Sequence, residues 1–263
     1  MRRLHFLLLC LMMAGNLLLG RQKPEKPKEL AKPKQQSIER EFEIARGMQM
    51  KFCWIPPGKA MLGTPKDLSE KEQEYETEGF WLGKYEVTQE QWEAVMGNNP
   101  SRFKGLKLPV ENVSWDNCQA FLGKCGVKGF KIKLPHENEW EYACRGGLGN
   151  KQEFYWGDSI NEYLANCNGE YPPPVDRTIS KGSLCRTTEV GHYEKRVLHP
   201  WGLCDMAGNV LEWCDNVFTN DDEFHSVRGG SWQWLPATCR SASLAGCSGH
   251  GDNIGFRVCL ASE

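Results

Sequence analysis

Cysteine content constrains this chain more than any other feature. Twelve cysteines occur in 263 residues, and eleven of them follow Cys10. The first twenty residues open with Met1-Arg2-Arg3 and continue as an apolar run from Leu4 to Leu19, with small residues Gly15 and Gly20 as cleavage points. That is the form of a secretory signal peptide, and the run is shorter than the roughly 20 apolar residues of a membrane span. An uncleaved anchor is the alternative, and only then would the chain meet a membrane. Leu9 before Cys10 argues against a lipoprotein box. In a secreted or periplasmic protein most cysteines pair, and an odd number leaves one unpaired or joined to another molecule.

Residues 21–44 are read as a Lys/Pro-rich linker, whose first part, RQKPEKPKELAKPKQQ, carries six basic residues, two acidic residues and three prolines. Such a segment buries too little apolar surface to order itself. Residues 45–263 are the size of one domain, without an internal repeat. Removing the 8 basic and 2 acidic residues of 1–36 from the totals of 32 and 34 leaves 24 against 32, a net charge of −8. That balance excludes a nucleic-acid surface.

Met48–Gly63 reads as a strand, a Pro-Pro-Gly turn and a second strand, and residues 79–88 as another strand. Three helices follow. Thr88 to Gln91 has capping-box form, with Trp92, Val95 and Met96 on one face. Ser114 caps a second helix, in which Trp115, Cys118, Phe121, Leu122 and Cys125 recur at helical spacing. The third spans about residues 135–144, with Pro135 in its first turn and Gly146-Gly147 as its stop. Residues 148–196 lack periodicity and read as long loops, of the kind held by metals or disulfides. Strand-like pieces resume at 208–213, 226–232 and 255–260. The fold class is α+β, loop-rich, with a core of large aromatics and cross-links. His136 and His199, each beside a proline, read as turn or cap residues rather than ligands. No HExxH, G-x-S-x-G or phosphate-loop pattern is present.

Six strings in order, YEVTQEQWEAVMGNNPSRFKG, LPVENVSWDNCQAF, KLPHENEWEYACRGG, DMAGNVLEWCDN, VRGGSW and NIGFRV, resemble the sulfatase-modifying-factor family of the formylglycine-generating enzyme. The resemblance spans about residues 48–260. It implies a loop-rich variant of the C-type-lectin fold with bound calcium. Because that family includes members with and without catalytic apparatus, function has to be argued from the sites.

The family enzyme oxidises a sulfatase cysteine with O₂ and Cu(I), which is held by the two thiolates of a C-x-x-x-x-C string after Gly-Gly-Ser. Soft thiolates select Cu(I). Counting forward from Gly229-Gly230-Ser231, the two positions fall on Trp234 and Cys239. Counting backward from NIGFR, Cys239 instead falls on a structural family cysteine, and both catalytic cysteines are gone. The CRSAS context favours the backward count. On either count the copper pair is absent in its family form, and Cys239 and Cys247 are the remaining catalytic candidates. The resemblance further implies a Cys144–Cys239 disulfide, closing a loop of about 95 residues and contributing on the order of 4 kcal/mol. Cys247 stands either with His250 as a copper or zinc site or in a disulfide with Cys185 or Cys167. The last strand's Cys259 has Cys118 or Cys125 as alternative partners.

The family's calcium ligands fall on Asp205, Gly208, Val210 and Glu212, two through side chains and two through carbonyls, as hard Ca²⁺ prefers. A second family calcium would use Asn166. Trp232 and Trp234 stand either along the groove where the enzymes hold peptide or in the space left by a shorter loop. Two functions are open: an exported, calcium-stabilised module binding protein, peptide or glycan without oxidase activity, or a divergent formylglycine-generating oxidase that needs Cu(I).

Overall fold

Side chains that close their own helix ends set the three helices. In the computed structural model, which describes residues 37–65, 70–169, 184–218 and 223–262, α1 (Gln89–Met96) and α2 (Trp115–Leu122) begin in reciprocal caps. Thr88 accepts from the Gln91 N–H, Ser114 accepts from the Asn117 N–H, and both capping partners bond back. α3 (Glu137–Arg145) starts two residues later than its proline suggests: His136 is the cap, its Nδ1 accepting from the Asn138 N–H, and Pro135 lies outside. The signal-peptide region and most of the linker lie outside the described residues, as does the proline run at 172–174. No helix among the described residues is long and apolar enough to cross a membrane.

Eleven strands accompany these helices among the described residues, which are mainly β. A five-stranded antiparallel sheet has the order β1 (Glu39–Ala45), β2 (Met48–Ile55), β5 (Phe80–Gly83), β11 (Cys259–Ser262), β6 (Phe130–Lys133). β1 corrects the expected linker boundary, because regular pairing begins at Glu39 rather than after residue 44. A four-stranded sheet runs β10 (Ile254–Gly255), β7 (Leu211–Val217), β8 (His225–Arg228), β9 (Leu244–Cys247), with β10 and β7 parallel. β3 (Gly58–Leu62) and β4 (Gln73–Thr77) form a separate ribbon. Thus the two strands flanking Pro56-Pro57 do not pair with each other.

Large aromatics fill the core, which contains Trp92, Phe121, Trp213 and Phe256. Trp92 of α1 stacks on Phe121 of α2 with ring centroids 5.5 Å apart, and Phe256 meets both rings edge-on. Burying such side chains stabilises by roughly 1.5–3 kcal/mol each. Cys118 and Leu260 share this cluster. Since strand side chains alternate faces, the adjacent Cys259 points to the other side of the sheet, away from α2.

A buried ion triad joins the helices to the smaller sheet. Glu141 of α3 bonds Arg145 at 2.7 Å and Arg228 of β8 at 3.0 Å, and it accepts from the Gly63 N–H at 2.8 Å. All three charged side chains are nearly inaccessible.

Candidate functional site

The turn before β7 depends on residues that tolerate left-handed backbone: Asp205, Gly208 and Asn209 have φ of 56°, 84° and 62°. Asparagine and aspartate adopt this region more readily than other non-glycine residues. At Gly208 glycine is required, because a β-carbon there would fall 2.3 Å from the Asn166 carbonyl oxygen. The two backbones meet in an isolated parallel bridge, and the Asn209 N–H donates to that carbonyl at 2.8 Å. The structure therefore brings Asn166 to the same place as the Asp205–Glu212 turn.

Carboxylates converge beside this turn. Glu86 accepts from the Val210 N–H and from the Asn209 side-chain amide, and Asp205 accepts from the Gly191 N–H at 2.5 Å. Glu212 receives two Arg257 nitrogens, each at 2.6 Å, and the Trp140 indole N–H at 2.7 Å. All four charged side chains are buried. Burial, followed by the neighbouring Asp205 and Glu212, pushes the Glu86 carboxyl well above its usual range. Burial likewise raises Asp205 to about 6. Glu212 keeps Arg257 protonated in spite of its burial.

Charge and donor type suit a hard divalent cation, although among the described residues no three His, Cys, Asp or Glu side chains are grouped so as to hold one. Three carboxylates against one guanidinium give −2 when all are ionised, a charge the interior opposes unless it is balanced. Asn166 adds a second indication: its Oδ1 is buried without a hydrogen-bond partner. Glu212 is the member that fits least simply, since Arg257 faces both of its oxygens. Glu86 and Arg257 stand inside the YEVT and GFRV strings, where a charged residue between apolar neighbours is the one sequence signal of their role.

The thiols are arranged differently from expectation. Cys144, Cys167, Cys239 and Cys247 are free thiols in this structure. Cys144 reaches the Ser241 hydroxyl at 3.4 Å and the Met206 carbonyl at 3.6 Å. Cys239, at the end of the 3-10 turn Pro236–Cys239, lies instead in one small apolar cluster with Cys167. The Cys144–Cys239 link is not made here: the two thiols have different neighbours. Cys239 is fully buried, and the contact with Cys167, together with burial, raises its thiol well above the usual range. A protonated, inaccessible thiol is a poor nucleophile and a poor metal ligand.

Cys247 sits opposite His225 across β8 and β9, not beside His250, whose Nδ1 lies 2.7 Å from Asn112 Oδ1. Cys247 and His225 line an open cavity of about 350 Å³ with Ser114, Trp115, Asp116 and Glu223, and the His225 ring stacks on Trp115 at 3.9 Å. Burial raises the Cys247 thiol too. No group of three or more metal-binding side chains of the His, Cys, Asp or Glu type occurs among the described residues.

Of its two open placements, Trp232 takes the one that fills space. It is 7 % exposed, donates its indole N–H to the Asp252 carbonyl and meets Phe103 edge-on. Trp234 is half-buried and packs against the main core. Both fill space rather than present a surface.

With this geometry in view, comparison with known proteins is decisive. Residues 14–262 match the Sulfatase-modifying factor enzyme 1-like domain. The chain belongs to this family. Its relatives within and around the family differ in what they are named for. The chain is 32 % identical over 197 residues to the "Chaperone protein LppX" of Paenibacillus barcinonensis, covering 58 % of this chain and 69 % of that one. It is 31 % identical to the "Inactive C-alpha-formylglycine-generating enzyme 2" of Bos taurus, covering 54 % of this chain and 44 % of that one. It is also 31 % identical to the "Formylglycine-generating enzyme" of Streptomyces coelicolor, covering 57 % and 51 %. The match thus spans about half the length of these formylglycine-type relatives. Among solved structures, the "Treponema denticola variable protein 1" superposes with a TM-score of 0.67 at 24 % identity, over 85 % of this chain and 99 % of that one. PvdO from Pseudomonas aeruginosa gives 0.63 at 21 %, over 80 % and 94 %. These two likenesses establish the fold alone.

Proposed function

We propose that this sulfatase-modifying-factor domain is an exported, calcium-stabilised binding module for a protein, peptide or glycan and does not oxidise cysteine. The observation that carries the reading is the placement of Cys239, which is fully buried beside Cys167 with its thiol held protonated. Copper-dependent oxidation needs two accessible thiolates and room for a third sulfur, and Trp234 stands at the first of those positions on the forward count. The relatives named as an inactive enzyme and as a chaperone support a role in binding. Export follows from the reading of residues 1–20 as a signal peptide, and the C-type-lectin-like label from the family resemblance.

Calcium would be held by Asp205, Glu212 and the carbonyls of Gly208 and Val210, with Asn166 at an adjoining position. Bound there, it would neutralise buried carboxylates and fix the turn before β7 to the Asn166 segment. The second reading, a divergent oxidase using Cu(I), draws on the soft sulfur pair Cys167 and Cys239 and on the relatives named as formylglycine-generating enzymes. Incubating the protein with a C-x-P-x-R sulfatase-type peptide, Cu(I) and O₂ separates the two. The binding reading predicts no formylglycine in the peptide's mass spectrum.

A further inference from the structure

Cys167 and Cys239 come together in a small apolar cluster, separate from the main core, with Phe154, Ile160, Ala165 and Ala207. Their exposures are 2 % and 0 %. The backbones around them are already joined: the Asn168 N–H donates to the Trp234 carbonyl at 3.1 Å, and the Asn168 side-chain amide to the Gln233 carbonyl at 3.3 Å. Of the other cysteines near the turn, Cys144 lies against Ser241 and Met206, and Cys247 faces His225. Cys167 donates to the Gly169 carbonyl at 3.5 Å, a bond that the disulfide would replace.

We propose that Cys167 and Cys239 form a disulfide in the mature protein, tying the Asn166 segment to the turn that follows Gly229-Gly230-Ser231. Each thiol loses one proton and one electron as the S–S bond forms. A disulfide donor of the oxidised-glutathione class takes up both electrons and both protons by exchange and leaves as two thiols. Exchange requires a thiolate, and the closed cluster suppresses it, so the bond forms during folding, before Phe154 and Ile160 cover the pair. Once formed it is shielded from reductants. The link would hold Asn166 next to Gly208 and the Trp234 turn against the domain from a single covalent point. Cys144, the partner implied by family resemblance, stays a thiol.

The inference rests on the export reading for its oxidising environment, so the test supplies the oxidant. The full chain, reduced and unfolded, is refolded in a glutathione redox buffer, then unfolded in guanidinium chloride with excess N-ethylmaleimide, which reaches the buried thiols, and digested without reduction. The expected product is a peptide pair joined through Cys167 and Cys239, with Cys144 alkylated. In Cys167→Ser, Cys239 becomes alkylated. A Cys144–Cys239 pair, or alkylated Cys239 in the folded wild type, overturns the proposal. Should the variant fail to fold, the wild-type map alone decides.

Discussion

Cys239 lies directly beneath Gly230: a β-carbon at Gly230 would fall 2.4 Å from the Cys239 sulfur and 3.0 Å from its backbone nitrogen and Cα. The φ of Gly230 is also +70°. Backbone is less free to move aside than a side-chain tip. Gly230→Ala should therefore destabilise by about 3 kcal/mol, from overpacking together with left-handed strain. Chemical denaturation measures this. A variant as stable as the wild type would mean that Cys239 is not packed against this turn.

Glu141 holds Arg145 and Arg228 in an interior with little water. Removing the shared anion leaves two buried guanidiniums unbalanced. Glu141→Gln should cost about 3–5 kcal/mol, read as a lower denaturation midpoint. Replacing an exposed pair member, such as Glu76 opposite Lys59, should change stability by less than about 1 kcal/mol.

Two buried groups give opposing pH dependences. Glu111 has a carboxylate oxygen without a hydrogen-bond partner, and burial pushes its carboxyl from 4.5 to about 7, with Asp252 raising and Lys104 lowering it. Between these values the folded state keeps a proton that the unfolded chain has lost. Its contribution is thus full below pH 4.5 and is lost as pH rises through 7. For His199, burial lowers the ring from 6.5 to about 4. There the unfolded chain gains a proton that the folded state refuses, so stability present above pH 6.5 is lost as pH falls to 4. Urea denaturation at pH 4.5 and 7 should show Glu111→Gln gaining up to about 3 kcal/mol more than wild type on going to pH 7. His199→Gln should shift the slope the other way. Parallel profiles for all three proteins would contradict both assignments.

How much of this was legible in the sequence depended on where the signal lay. α1 and α2 were readable because Thr88 and Ser114 are common caps with side-chain partners three residues on. The start of α3 reads two residues early in the sequence because histidine is an unusual cap and Pro135 suits a first turn. β1 blends into the linker, since EREFEIA continues a charged stretch, and only its pairing with β2 reveals the alternation of Phe42 and Ile44. β9 leaves no sequence signal because LAGC is short and takes its register from β8. At the site, motif order located Asp205, Glu212 and Asn166. Their convergence with Glu86 and Arg257 is a tertiary fact, as is the meeting of Cys167 with Cys239 across a long loop.

Calcium should stabilise the folded protein by mass action. At a free concentration about 100-fold above Kd the gain is roughly 2.7 kcal/mol, seen as a higher Tm that chelator reverses. Asp205→Ala should abolish the gain, and Asn166→Ala should reduce it. A Tm indifferent to both calcium and chelator would count against the proposed metal.

The central claim, that this family member binds without oxidising, is tested most directly by mass spectrometry of a C-x-P-x-R peptide after incubation with the protein, Cu(I) and O₂. The account predicts recovery of the peptide with its cysteine unchanged, or oxidised only to the extent seen without protein. Formylglycine that accumulates with the wild type, persists in Trp234→Ala and is lost in Cys239→Ala would contradict it.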